Sequence, residues 1–355
     1  MSNLSLLRLQ AGSAALKHFQ RHGLNMQDFG YLLAASGGPK WLVLTGLDAY
    51  LCQQHLPTMA GIHGLGTSAG AFRLACYAQD HPHQAITQFA KNYIATTYSS
   101  PRPKMRERDQ SVKAILDDIL LGKEQQIINN PYMRPHWISA QCQGLGRLPG
   151  QWSQATNLGL SYLFNCAGRR QLRHLYTRAC FRPANSQLWL KDPYQLPTQY
   201  YPMQQDNLYT SLLASGTIPL FSPLRQNIKG APGGHLDGGI VDYHFDLQLQ
   251  GADKSLILYP HFTDQPRAGW FDKHLARPPS ATSYDRTLLL TPGKAFMARL
   301  KNNRIPERND FRAYDDNTRI KAWTKATDLS RYLADELDQI LHTQDIGRIE
   351  PLMLS

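Results

Sequence analysis

Two glycine-rich loops, each following a short apolar run, constrain this chain more than any other feature. Tyr31 to Ala35 (YLLAA) ends in Ser36-Gly37-Gly38, and a run from about Gly61 to Leu65 enters Gly66-Thr67-Ser68-Ala69-Gly70. Short apolar runs bounded by glycine read as buried strands. Pro39 has the fixed φ suited to a first helical position, and Leu44, Leu47 and Leu51 continue at helical spacing. A small-residue helix, AGAFRLACYAQ, follows the second loop. Strand, glycine loop, helix, strand, glycine turn, helix is a βαβα opening. It implies an α/β fold with a mostly parallel sheet covered by helices on both faces.

The rest of the chain continues the alternation less clearly. Residues 10–22 read as a helix stopped by Gly23, and 84–127 as helical with a break at 99–104. Residues 131–205 mix short strands with Pro- and Gln-rich loops, part of which is expected to cap the site. A helix follows at about 206–215. Strands are expected to end at His235-Leu236-Asp237 and to span Lys254 to Tyr259 and Arg286 to Leu290. Trp323, Ala326, Ser330, Leu333, Leu337 and Ile340 form a 3/4-spaced stripe on a C-terminal helix, facing either the core or a partner. No internal repeat or linker divides the 355 residues. One domain over 1–355 is expected, with an insertion or cap at about 84–205 and a helical C-terminal extension at about 291–355.

Apolar types at 42% and charged types at 18% exclude a disordered tail, a collagen-like fibre and a coiled coil. With 38 basic and 27 acidic residues the formal charge is +11, which suits an anionic partner. Basic residues cluster at 102–108, at 169–178 and from Arg299 through Arg312. They form a solvated surface or attract anionic phospholipid headgroups. No helix-turn-helix, RNP or zinc-finger signature accompanies them, so a nucleic-acid partner is not expected. Five scattered cysteines without a C-x-x-C pair suit a reducing compartment and no metal site. Met1 to Gln10 alternates Leu with polar residues, unlike a secretory signal, and no apolar window approaches the ~18 residues of a membrane span. The expectation is a cytoplasmic protein whose contact with lipid is peripheral.

Gly66-x-Ser68-x-Gly70 between strand and helix is the nucleophile-elbow pattern. A serine on a sharp strand-to-helix turn projects its Oγ beyond the sheet, and the N–H of Ala69 points from the helix start toward a developing oxyanion. The pattern alone also fits an ordinary glycine-flanked strand end. Gly37-Gly38 ends the preceding strand, which a right-handed crossover sets beside the elbow; glycine there lets N–H groups approach a ligand, or makes a plain turn. Lys40 falls in a first helical turn, where the macrodipole disfavours a cation. It pairs with an acid, anchors an anionic substrate or reaches for water. A serine needs a base, and His136, His174, His235, His244, His261, His274 and His342 all follow the elbow. His235 and His244 bracket Asp237, which leaves an apolar strand end directly into Gly238-Gly239. A carboxylate in such a partly dry position has a raised pKa and can accept a serine proton; otherwise it opens a loop.

Four segments, in order, resemble the patatin-like phospholipases, lipid acyl hydrolases with a Ser–Asp dyad. Ser36-Gly37-Gly38-Pro39-Lys40 is similar to their glycine-rich oxyanion loop with its basic residue, and Gly66-Thr67-Ser68-Ala69-Gly70-Ala71 to their elbow. Ala214-Ser215-Gly216-Thr217-Ile218-Pro219-Leu220-Phe221 is similar to their Ser/Ala-rich segment, and Asp237-Gly238-Gly239 to their D-G-G. The resemblance covers roughly residues 30–245. It implies a three-layer α/β/α fold with Ser68 as nucleophile and Asp237 as base. It also implies an oxyanion hole from Gly37 and Gly38, Lys40 supporting the loop, a lipid or other acyl-ester substrate, and no metal or organic cofactor. The chain departs from the pattern at Ala35 and Ser36, at Trp41 where glycine is usual, and at Tyr243-His244-Phe245 in place of Asn-Asn-Pro. The same serine would serve a thioesterase or an acyltransferase, and a degenerate site would leave a non-catalytic lipid-binding or scaffold protein.

Overall fold

In the computed structural model, which describes residues 5–59 and 61–354, the two glycine loops leave the ends of adjacent parallel strands. Residues 1–4, part of the stretch read against a secretory signal, lie outside the described residues. The chain opens with β1 (Leu7–Ala11), α1 (Ser13–His22) and β2 (Phe29–Ala34). A 3-10 turn with Pro39 near its start leads into α2 (Thr45–Tyr50), then β3 (Ile62–Thr67) and α3 (Ala69–Tyr77). Helices α4 (Pro82–Ala95), α5 (Met105–Leu120) and α6 (Glu124–Ile128) precede β4 (Met133–Cys142) and α7 (Gln151–Ala167). Next come β5 (Tyr176–Arg182), β6 (Trp189–Lys191), β7 (Thr198–Pro202), α8 (Gln205–Ser215) and β8 (His235–Asp237). Then follow β9 (Gln248–Gln250), β10 (Leu256–Pro260), α9 (Ala281–Tyr284) and β11 (Thr287–Pro292). The chain closes with α10 (Lys294–Met297), α11 (Asp310–Ala313), α12 (Asp316–Leu329), α13 (Arg331–Thr343) and β12 (Ile349–Pro351).

Among the described residues the main sheet runs β12-β1-β11-β10-β2-β3-β4-β5-β7, with β8 also on β4. Its pairings are parallel except β1–β11, β4–β5 and β4–β8, and β6 and β9 form a separate antiparallel ribbon. Strands β2 and β3 are buried at every position, so helices cover both faces. This is the three-layer α/β/α arrangement with a mostly parallel sheet that the opening βαβα pattern implies.

Two segments do more than the sequence suggested. Residues 84–205, expected as an insertion or cap, supply β4, β5 and β7 of the sheet itself. Strand β4 (MRPHWISAQC) is buried on both faces, so it shows no apolar–polar alternation. In the helical extension expected over 291–355, β12 returns to pair with β1. The 3/4-spaced stripe falls on two helices that meet at Ser330, and all six of its residues are buried. No helix among the described residues is long and apolar enough to cross a membrane.

Register along β4 positions the site. Strand β3 pairs with it as far as Thr67 opposite Ile138, and β8 approaches from the other direction with Asp237 opposite Ser139. Strand β5 occupies the other edge over the same residues, so β3 and β8 meet head-on along one edge. The turn after β3 is tight: a Cβ on Gly70 would stand 2.0 Å from the Ala34 carbonyl oxygen. Gly70→Ala is therefore expected to lower the unfolding free energy by about 3 kcal/mol, because backbone cannot yield as a side chain can. Urea denaturation checks this, and an unchanged midpoint would show that α3 can start elsewhere.

Candidate active site

Ser68 adopts φ 54° and ψ −126°, a left-handed conformation that strains a residue with a Cβ. Its neighbours hold it there. Thr67 Oγ1 donates to the Asp242 carbonyl at 2.9 Å. The Ser68 N–H donates to Ser215 Oγ at 3.0 Å, and that hydroxyl donates to the Ile138 carbonyl at 2.7 Å. Ser215 thus ties the elbow to β4, which explains a small hydroxylic residue at the end of α8.

The strained turn aims Ser68 Oγ at Asp237, donating to Oδ2 at 2.7 Å. The other carboxylate oxygen, Oδ1, accepts the Gly239 N–H at 2.7 Å, and the Asp237 N–H donates to the Thr217 carbonyl at 2.7 Å. Burial pushes the Asp237 pKa up to about 6, although hydrogen bonds from Ser68 and Gly239 and the charges of Arg308 and Lys273 pull it back. The carboxylate is thus fixed, largely dry and more basic than an exposed aspartate.

A cavity of about 240 Å³ opens over this pair, walled by Gly37, Gly38, Lys40, Tyr243, Lys273 and Arg308. A narrower one of about 70 Å³ leaves Ser68 and Ala69 in another direction, lined by Phe72, Tyr93, Tyr98, Phe221 and Phe311. Ser68, Gly38, Ile218 and Arg308 border both. The serine thus stands where a cationic chamber meets an aromatic one. Gly38 has φ 57°, and a Cβ there would lie 3.3 Å from the Arg308 guanidinium, so glycine lets the arginine close over the loop.

The cations are unevenly compensated. Lys40 Nζ is 3.7 Å from Glu307 and lies over the Phe262 ring, so this lysine does find an acid. Arg308 lies over the Phe221 ring, with Arg108 on the same ring. Lys273 sits 4.0 Å above the Tyr243 ring and beside Trp270, reaching the exposed rim. Partial desolvation of its ammonium and repulsion from Lys40 and Arg308 push its pKa down to about 7. Among the described residues neither Lys273 nor Arg308 has a carboxylate within ion-pair distance.

The structure brings Ser68, Asp237, Gly37, Gly38, Ala69 and Lys40 to one place, and it leaves the bracketing histidines outside. His235 Nδ1 is hydrogen-bonded to Ser139 Oγ at 2.9 Å, and burial lowers its pKa to about 4. His244 Nδ1 accepts the Arg267 N–H, its ring stacks on Tyr243, and burial holds it well below the usual histidine range. Neither lines the cavity. Two members of the basic cluster at 169–178 are not surface charges: Arg169 pairs with Asp272 and Arg178 with Asp242, all buried. Trp41 fills the core, stacked 4.4 Å from Phe89, which accounts for its bulk where glycine was expected.

Sequence reasoning missed Lys273, Trp270 and Glu307 in the cavity wall. It met Arg308 only as part of the Arg299–Arg312 charge cluster. These residues come from the last hundred positions, where no motif marks them.

No family model and no curated protein sequence matches the chain. Among solved structures it is similar to VipD from Legionella pneumophila, with 14% identity and a TM-score of 0.33, covering 94% of this chain and 70% of that one. It is also similar to human GIVD cytosolic phospholipase A2, with 10% identity and a TM-score of 0.36, covering 95% of this chain and 65% of that one. The same human protein in complex with methyl gamma-linolenyl fluorophosphonate and terbium chloride aligns at 11% identity, with a TM-score of 0.36 and 62% of its length covered. At TM-scores this low the likeness carries no chemistry, and the site stands on its own residues.

The raised Asp237 pKa has a consequence for stability. The folded chain holds this proton more tightly than the unfolded one, so the stabilisation is complete below about pH 4 and is lost as pH rises through about 6. Asp237→Asn, which removes the buried charge, is expected to stabilise the protein by on the order of 2–3 kcal/mol at about pH 8 and by little near pH 4. Urea titrations at the two pH values check the sign. A variant less stable than the parent at the higher pH would contradict it.

Proposed function

We propose that this chain is a serine acyl hydrolase cleaving carboxylic esters of lipids, in the manner of a phospholipase A or lysophospholipase, with Ser68 as nucleophile and Asp237 as base. The observation that carries the reading is the 2.7 Å hydrogen bond from Ser68 Oγ to Asp237 Oδ2 at a serine with φ 54°, with no imidazole between them. The four-segment resemblance to the patatin-like phospholipases supports the same pair.

Asp237, with a pKa of about 6, is mostly ionised at neutral pH yet basic enough to take a proton. As Oγ attacks the ester carbonyl, the serine proton passes to Asp237 Oδ2. The N–H groups of Gly37, Gly38 and Ala69 receive the oxyanion, the last reinforced by the start of the nine-residue helix α3. Each such donor contributes on the order of 3 kcal/mol to the transition state. The intermediate collapses, Asp237 returns the proton to the departing alcohol, and the acyl group remains on Oγ. Asp237 then takes a proton from water, whose oxygen attacks the acyl-enzyme, and Ser68 is regenerated as the fatty acid leaves. One carboxylate carries the proton at every stage.

The two cavities suit the two halves of such a substrate. The aromatic chamber accepts an acyl chain, and the chamber of Lys40, Lys273 and Arg308 favours a leaving group with a negative charge such as a phosphate.

Ser68→Ala and Asp237→Asn are each expected to abolish hydrolysis of a nitrophenyl acyl ester while circular dichroism stays unchanged, and a fluorophosphonate is expected to label Ser68. Parental turnover in either variant, or an inert serine, sinks the dyad. The parent's kcat/KM is expected to fall as pH drops through about 6, where Asp237 takes up a proton and ceases to be a base. Arg308→Gln is expected to raise KM for a phosphate-bearing ester by roughly tenfold and to leave a neutral ester of the same acyl chain nearly untouched. Equal effects on both would show that Arg308 does not read charge.

A further inference from the structure

Helix α7 is amphipathic in the reverse sense. Gln154, Asn157, Ser161 and Asn165 recur at helical spacing and are buried. Gln154 Oε1 accepts the Leu220 N–H, Asn157 Nδ2 donates to the Tyr176 hydroxyl, and Asn165 Nδ2 donates to Asp272, each at 2.8 Å. The opposite stripe turns Trp152, Tyr162 and Leu163 to the outside, 89%, 48% and 62% exposed. Leu145 and Leu148, in the turn before the helix, extend it and are also exposed. A helix anchored through polar groups, with aromatic and aliphatic side chains facing outward, is shaped to meet a second apolar phase.

Charge indicates which phase. Residues 125–191 contain no aspartate or glutamate and eight arginine or lysine residues, of which Arg169 and Arg178 are buried against acids from other segments. Arg147 and Arg170 flank the two ends of α7, are exposed, and have no carboxylate within ion-pair distance among the described residues. An aromatic stripe bracketed by unpaired arginines complements a bilayer with anionic headgroups. A second copy of this chain would meet it with the same uncompensated positive charge.

The helix is also fastened to the rim of the catalytic cavity at both ends. Leu220, held by Gln154, follows Pro219 of the cavity wall, and Asp272, held by Asn165, lies in the turn Trp270–His274 beside Trp270 of the same wall. Lipid seated on α7 would therefore rest on a helix tied directly to the wall of the cavity that holds Ser68.

We propose that α7 and the turn before it form an interfacial docking face for an anionic membrane, from which lipid esters enter the cavity. Its purpose rests on the function proposed above, but its existence is tested without turnover. Vesicles of phosphatidylcholine, alone and mixed with phosphatidylglycerol, are sedimented with the full chain. The parent is expected to go down with the mixed vesicles. The double variant Trp152→Ser/Leu163→Ser is expected to stay in solution while hydrolysing a water-soluble short-chain ester at the parental rate. Arg147→Gln/Arg170→Gln is expected to bind on the order of tenfold more weakly and with a shallower salt dependence. Ser68→Ala protein is expected to bind as the parent does, so failure of the serine chemistry leaves the docking result readable. The proposal is overturned by a parent that ignores mixed vesicles, by undiminished binding of the Trp152→Ser/Leu163→Ser protein, or by a solution dimer that those two substitutions dissociate.

Discussion

Along one edge of β4, β3 carries the pairing as far as Ile138, and β8 takes it up at Ser139 from the opposite direction. Two strand ends pointing at each other along one ladder have little freedom to drift, since a one-residue slip would turn every buried side chain to the wrong face. The last residue of β8 is Asp237, and the first residue after β3 is Ser68. Their 2.7 Å hydrogen bond is thus set by sheet register before either side chain chooses a rotamer. This makes the pair a property of the scaffold rather than of flexible loops, which suits the proposed reaction with its one proton carrier.

The electrostatics of the cleft come from a different source. Burial raises the basicity of Asp237, and the nearby cations limit that rise. Arg308 and Lys273 act on Asp237 from segments that take no part in β3 or β8, while repelling each other and Lys40. Among the described residues only Lys40 of the three is in an ion pair, so these like charges repel one another, and that repulsion is relieved when an anion comes between them. The aromatic rings beneath them, Phe221 and Tyr243, keep them in place in the meantime.

What could be read from the sequence follows from how local each signal is. The two glycine loops, at Ser36-Gly37-Gly38 and around Ser68, announce themselves because glycine, proline and serine at fixed spacing are local backbone requirements. Asp237 stood out because an apolar strand end running into two glycines is local as well. Strand β4 gave no such signal: with both faces buried it has no period, and Pro135 and His136 interrupt its apolar character. Arg308 and Lys273 were invisible as site residues because only the fold brings their segments to the serine. Helix α7 lies in a stretch read as short strands and loops, because its buried face is polar and its apolar side chains turn outward, which leaves no apolar stripe toward the core.

The strain at Ser68 must be held by something stronger than the turn itself, since a residue in such a conformation costs about 1–3 kcal/mol. Asp242 supplies the connection. Its carbonyl receives the Thr67 hydroxyl, one residue before Ser68, while its carboxylate is gripped by Arg178 Nε at 2.6 Å and Nη2 at 2.9 Å. Arg178 also binds Asp192, and Arg169 joins Asp272 with the Val241 carbonyl, all away from water. Buried ion pairs of this kind add little net stability, because desolvation offsets most of the attraction, but losing one partner is severe. Such pairs suit positioning better than stabilising: the backbone after D-G-G is pinned where Thr67 needs an acceptor. The basic residues at 169 and 178 thus brace the turn at Ser68 from inside the protein, while Arg147 and Arg170 face outward.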